Sequence, residues 1–285
     1  MDRHYADIHG RGAEPSPKLR RKLRLSGAVS LALALVAVNM ALQTYLNLSN
    51  EQYVPGLPMM SLDNEQNVPA LFSTLLLFAA APILAYIAAR DRKDGGRDAA
   101  KWAVLACGFL LMGVDESLSL HERMIDPLRA LLGRSFDLDR LGIFYFAWVI
   151  PGIILVAGLA VYFLPFMSRL PRRTGIMLFV AAAIYLGGAI GVELVEGWWR
   201  EGHGHRNVMY HAMVSLEEGL EMIGVIILIH TLLDFISTQY GQVSITVLSP
   251  RHATAGADDP AKESPSGPVL RPSGIRQAPR GSATW

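Results

Sequence analysis

The stretch from His211 to Met222, HAMVSLEEGLEM, sets Glu217, Glu218 and Glu221 inside an apolar run that continues as VIILIHTLLDFI. Carboxylates bind protons and cations. One lodged near the centre of a membrane helix costs about 2.5–3.5 kcal/mol on insertion scales, so each must face protein, water or a cation. Asp115, Glu116, His121 and Glu122 gather at the end of another apolar block, and Glu193 and Glu196 close a third. At about 100° per residue, His211 and Glu218 fall almost on one line, with Glu221 one turn beyond Glu218. Asp115, Ser119 and Glu122 make a second line, and Glu116 projects elsewhere. With a rise of about 1.5 Å per residue, Asp115 sits about 9 Å below His121 and Glu221 about 15 Å below His211.

Three arrangements make such a group tolerable. The carboxyls hold protons, since like charges in one site cannot all ionise; they pair with Arg123, Arg200 or Arg206; or they hold one or two metal ions. The excess of acid over nearby base favours metal. Asp115, His121, Glu122, Glu193, Glu196, His211, Glu218 and Glu221 then form the candidate ligands of a divalent metal ion, with zinc and iron both admissible. Glu116 or Glu217 is the candidate general base toward a metal-bound water. Neither the Glu-x-x-His pattern of helical di-iron proteins nor zinc HExxH is met. His203 and His205 read as solvated, and His230 with Asp234 as an interfacial hydrogen-bonded pair.

The elements that must position these residues are long apolar blocks. In a chain of 285 residues, 51% are hydrophobic and 18% charged, and several blocks reach the roughly 20 residues that a span requires. The sequence predicts an all-α, polytopic membrane bundle of six helices near 25–47, 68–89, 101–121, 142–165, 175–198 and 209–236. A basic, disordered leader (1–24) precedes the membrane domain (25–240), and a disordered tail rich in Pro, Ser and Gly (241–285) follows it.

Basic residues orient the bundle. Lys18, Arg20, Arg21, Lys22 and Arg24 end the leader, Arg90, Arg92, Lys93, Arg97 and Lys101 crowd the second connection, and Arg169, Arg172 and Arg173 fill the fourth. The positive-inside rule assigns these connections and both termini to the cytoplasm. The first connection, 48–67, carries Glu51, Asp63 and Glu65 and no Lys or Arg, while the third, 122–141, is mixed. Blocks three and five then run outward and block six inward, which brings the acids of all three to one level. Pro151 is expected to kink the fourth helix. Gly187 and Gly191 form a small-xxx-small pair expected to allow close helix approach. Trp148, Trp198, Trp199 and Tyr210 near block ends suit the membrane interface. A lone Cys107 excludes an internal disulfide.

DESLSLHE at 115–122, GGAIGVELVE at 187–196 and EEGLEMIG at 217–224 resemble a group of uncharacterised bacterial multi-pass proteins with DE-xxxx-HE and EE-xx-EM motifs. The resemblance covers residues 101–236, implies a bacterial inner-membrane protein, and supplies no activity. Against the EE-xxx-R motif of the CPBP intramembrane proteases, Met222 stands where Arg belongs. Against the three-His zinc site of the alkaline ceramidase-like superfamily, only His121 and His211 lie at a suitable level. Three functions stay open on these residues: a metal-dependent membrane hydrolase or oxidoreductase, a cation or proton transporter, and a non-catalytic membrane subunit. The partners expected are the lipid bilayer and a membrane-protein partner or a second copy of the chain, with no nucleic acid.

Overall fold

The structure is a computed structural model that describes residues 17–49, 54–136 and 140–240. Residues 1–16 of the predicted leader and the whole tail, 241–285, lie outside the described residues. All regular structure among the described residues is helical, in keeping with the all-α expectation. Helix α1 runs Pro17–Ser49, α2 is the short Leu57–Met60, α3 is Val68–Lys93, and α4 is Ala99–Leu118. Helix α5 is Leu120–Phe136, α6 is Val149–Met167, and α7 is Arg172–Leu186; a π-helical turn, Gly187–Val192, joins α7 to α8 (Glu193–His203) before α9 (Val208–Gln239). Five of these, α1 from Leu25, α3, α6, the α7–α8 unit and α9, are long and apolar enough to cross a bilayer. A sixth exists when α4 and α5, bent by 78° at their junction, are taken as one span.

Helix α9 is the hub, touching α1, α3, α7 and α8, while α4 packs along α3. One half of the bundle is filled with apolar side chains. Trp102 stands edge-on to Phe166 at 4.8 Å and against Phe235 at 5.3 Å, with Leu77, Leu84 and Leu232 closing the space between helices. Arg169 pairs with Asp98, and Arg173 approaches Asp234 at 3.9 Å, so the basic connections share that end. Large apolar side chains such as Leu111, Ile154, Val161 and Phe179 face outward, which suits lipid and would be costly in water.

Local chemistry departs from the sequence reading at several points. Helix α1 starts at Pro17, ahead of residue 25, because the straight-chain Lys, Arg and Leu of 18–24 are good helix formers. Pro151 makes no kink: α6 begins at Val149, and in a first turn the missing N–H had no helical partner to lose. The mixed connection 122–141 is largely helix α5. Its break from α4 is at Ser119, held at φ 50, with the Ser119 N–H bonded to the Asp115 carbonyl.

The close helix approach is made by other glycines than the two expected. A Cβ on Gly187 would meet nothing within 4 Å, and one on Gly191 only the Leu186 carbonyl at 4.0 Å. A Cβ on Gly188 would lie 2.7 Å from the Glu217 carbonyl, and one on Gly224 2.9 Å from the Tyr185 backbone nitrogen. The π turn carries an extra residue per turn, which rotates Gly188, not Gly187, toward α9.

Asn39, 1% exposed in the middle of α1, ties that helix to the hub. Its Nδ2 donates to Ser215 Oγ at 2.8 Å, its Oδ1 accepts from the Leu62 N–H at 3.3 Å, and Ser215 Oγ donates to the His211 carbonyl at 2.7 Å. Asn39→Leu strands the Leu62 N–H and weakens the α1–α9 contact. A loss of about 1–2 kcal/mol is expected, measurable as a lowered unfolding midpoint in mixed micelles.

Candidate functional site

Asp115, at the end of α4, seals the break before α5. Its Oδ1 accepts from the His121 N–H at 2.9 Å and its Oδ2 contacts His121 Nδ1 at 2.8 Å. The carboxylate thereby caps α5 and orients the imidazole, whose ring lies 5.0 Å from that of Trp148. Trp148 Nε1 in turn donates to Glu193 Oε1 at 2.7 Å. Trp148 is thus a link between α4–α5 and α8, not a headgroup anchor.

The π turn and α8 bring Glu193 and Glu196 inward, where both are buried. Glu196 is within hydrogen-bonding reach of Glu217 and of Tyr210. Tyr210, 1% exposed, is also no interfacial anchor: its hydroxyl donates to Asp63 at 3.0 Å and accepts from Arg200 Nη1 at 3.1 Å. Two carboxyls as close as Glu196 and Glu217 must share a proton or a cation. On the next turn of α9, Glu221 is within hydrogen-bonding reach of the Tyr185 hydroxyl. Glu116 of α4 lies within electrostatic reach of Glu221, and Glu218 of both.

Acids from α4, α8 and α9 therefore meet in one group: Glu116, Glu193, Glu196, Glu217, Glu218 and Glu221. Several polar atoms there are buried without a hydrogen-bond partner, namely Glu193 Oε2, Glu196 Oε2 and Ser73 Oγ of α3. A small cavity of about 10 Å³ has Ser73, Glu116, Tyr185 and Glu221 on its polar side and Leu76, Leu77, Met222 and Val225 on the other. That volume holds about one water-sized particle.

The other candidates differ in how near they come to this group. Glu122 is exposed on α5. His211 is buried within electrostatic reach of Asp63 and His205, and its Nδ1 has no hydrogen-bond partner. Asp115 and His121 bond each other and also lie within electrostatic reach of Glu116 and Glu221. Among the described residues, no three His, Cys, Asp or Glu side chains converge as a ready metal centre. Arg200 bonds Tyr210 and lies within electrostatic reach of Glu196. His203 is exposed and stacks on Trp199 at 4.1 Å.

The sequence reading took no site role from Ser73, Asp63, Glu65, Trp148, Tyr185 or Tyr210. Glu65 lies in the loop before α3, outside the spans. Burial raises its carboxyl from 4.5 to about 7; the Glu122 charge adds to the rise, His121 opposes it and Asp115 adds again. The folded state therefore holds this proton more tightly than the unfolded chain. The group's contribution to stability falls as pH rises from about 4.5 to about 7. Glu65→Gln removes that slope. Unfolding midpoints of variant and wild type at pH 5 and pH 8 check it: the variant's relative stability should be greater at pH 8.

The family described as Domain of unknown function (DUF8692) matches residues 28–235. The chain belongs to that family. The DUF8692 match runs from α1 to α9 and so takes in every span and every acid of the group. No curated protein and no solved structure matches the chain.

Proposed function

We propose that this membrane protein binds a hard divalent cation between Glu116 and Glu221, in the half of the bundle away from the cytoplasm. The observation that carries the reading is the small cavity ringed by Ser73 Oγ, Glu116, Tyr185 and Glu221, with the Ser73 hydroxyl buried and unpartnered. The donors facing it are all oxygens. Such a set suits Mg²⁺ or Mn²⁺ better than zinc. The further ligand positions would fall to the Ser73 and Tyr185 oxygens, since a cavity of about 10 Å³ leaves no room for a shell of waters.

Glu193, Glu196, Glu217 and Glu218 add further carboxyls around the site. Glu116 also borders a wider cleft, so a molecule bound there would lie beside the cation. Transport is the weaker reading. Among the described residues, the other half of the bundle is filled by the packed apolar core around Trp102, Phe166 and Leu232. The orientation itself rests on the basic second and fourth connections, which the positive-inside rule assigns to the cytoplasm.

Titration of Mn²⁺ into chelator-treated protein in lipid nanodiscs tests the proposal. One saturable site, displaced by Mg²⁺, is the expected result. Absence of any saturable site would overturn it.

A further inference from the structure

A second cavity, of about 380 Å³, opens beside the acidic group and is bordered by Met59 of α2, Gln66, Val68, Leu71 and Thr74 at the start of α3, and Glu116 of α4. Its size falls within the range of small-molecule sites, roughly 300–1,000 Å³. Met59 and Leu71 on its border are 54% and 58% exposed, so the cleft opens to the outside of the bundle and an apolar chain could lie along it. Its floor is polar. Glu116 and Ser117 lie there, and the Ser117 hydroxyl donates to the Gly113 carbonyl, leaving its oxygen free to accept. At the lip, Gln66 is held at φ 61, a conformation that disfavours a side-chain-bearing residue and is often retained at ligand clamps.

The lining holds one carboxylate and neither Lys nor Arg. An anionic head would meet Glu116 with nothing to offset the repulsion. A cationic head would compete with the divalent cation proposed just behind Glu116. What remains is an uncharged head that donates hydrogen bonds to carboxylate and serine oxygens while an alkyl chain lies along Leu71 and Met59. We infer that this cleft takes a membrane amphiphile with an uncharged, hydroxyl-bearing head, and that Glu116 receives the hydroxyl. The inference deepens the cation reading and rests on it, since the cation sets which head charge is accepted.

The experiment uses full-length protein in nanodiscs and three diazirine-tailed probes: a monoacylglycerol, a phosphatidylglycerol and a long-chain amine. Labelled peptides are mapped by mass spectrometry. The monoacylglycerol probe is expected to label residues 59–74 and 110–117 about ten-fold more than the phosphatidylglycerol. Excess unlabelled monoacylglycerol should compete. Leu71→Trp, which fills the cleft without touching the cation site, should remove the labelling and leave Mn²⁺ binding unchanged; Met59→Trp serves should the first variant fail to fold. Equal labelling by all three probes, or labelling untouched by both variants, would overturn the inference, because it marks ordinary lipid contact. Preferred labelling by the amine would overturn it too. Loss of Mn²⁺ binding with hydroxyl-selective labelling intact would instead sink the cation reading and leave the cleft assignment standing.

Discussion

Gly188→Ala is expected to destabilise the protein by about 1–3 kcal/mol and to weaken cation binding about 10- to 100-fold. The added Cβ would stand 2.7 Å from the Glu217 carbonyl, 3.2 Å from Leu220 Cβ and 3.3 Å from Glu221 Cγ. The nearest of these is backbone, which has no rotamer to change, so α9 itself must shift. That shift falls on the turn carrying Glu217 and Glu221. Gly187→Ala is the internal control. Its Cβ meets nothing within 4 Å, and alanine is the better helix former, so stability should stay level or rise by up to about 1 kcal/mol. Equilibrium unfolding in mixed micelles and Mn²⁺ titration read both effects. Equal losses in the two variants would mean that the π turn is not what sets the α8–α9 spacing.

Glu221→Gln keeps the shape of the side chain and removes its charge. With half of the carboxylate set gone, Mn²⁺ affinity should fall about 100-fold, and Glu116→Gln should act alike. At a cation concentration about 100 times the dissociation constant, wild type gains about 2.7 kcal/mol from binding, and the variants lose most of that gain. Without the cation the sign reverses. Glu221→Gln relieves crowding among like charges, so the cation-free variant should unfold at a higher midpoint than cation-free wild type. Glu122→Gln and His211→Gln should leave Mn²⁺ affinity unchanged, since neither residue lines the cavity between Glu116 and Glu221. A loss in His211→Gln comparable with that in Glu221→Gln would restore the histidine as a ligand and contradict the geometry.

The spans were legible because a bilayer demands one property, apolar length, that composition carries directly. That acids of three spans lie at one level was legible for a related reason, since antiparallel spans bring residues of similar depth together. That Glu116 lies among them was not, because its place on the helix sets it off the line of Asp115, Ser119 and Glu122. Features that depend on single backbone angles were not. Ser119 sits in an unbroken apolar-polar rhythm, SLSLHE, that gives no sign of a left-handed residue. The run GGAIG reads as a spacing motif on an ideal helix, yet the extra residue of a π turn changes which glycine meets α9. An ideal helical wheel also put His211 in line with Glu218, although the charged groups within reach of its ring are Asp63 and His205. Trp148 and Tyr210 were read as interfacial because aromatics near span ends usually are. Their polar atoms instead bond Glu193 and Asp63. Ser73 carried no signal at all, since a hydroxyl in an apolar helix commonly bonds its own backbone.

The central claim is that carboxylates of α4 and α9 hold a cation between them. Infrared difference spectra of Mg²⁺-bound minus Mg²⁺-free protein, with ¹³C-labelled glutamate, measure that directly. The account predicts shifted carboxylate stretches that move with the label and vanish in the Glu116→Gln, Glu221→Gln double variant. Difference bands that persist in the double variant, or a spectrum with no carboxylate change at saturating Mg²⁺, would contradict it.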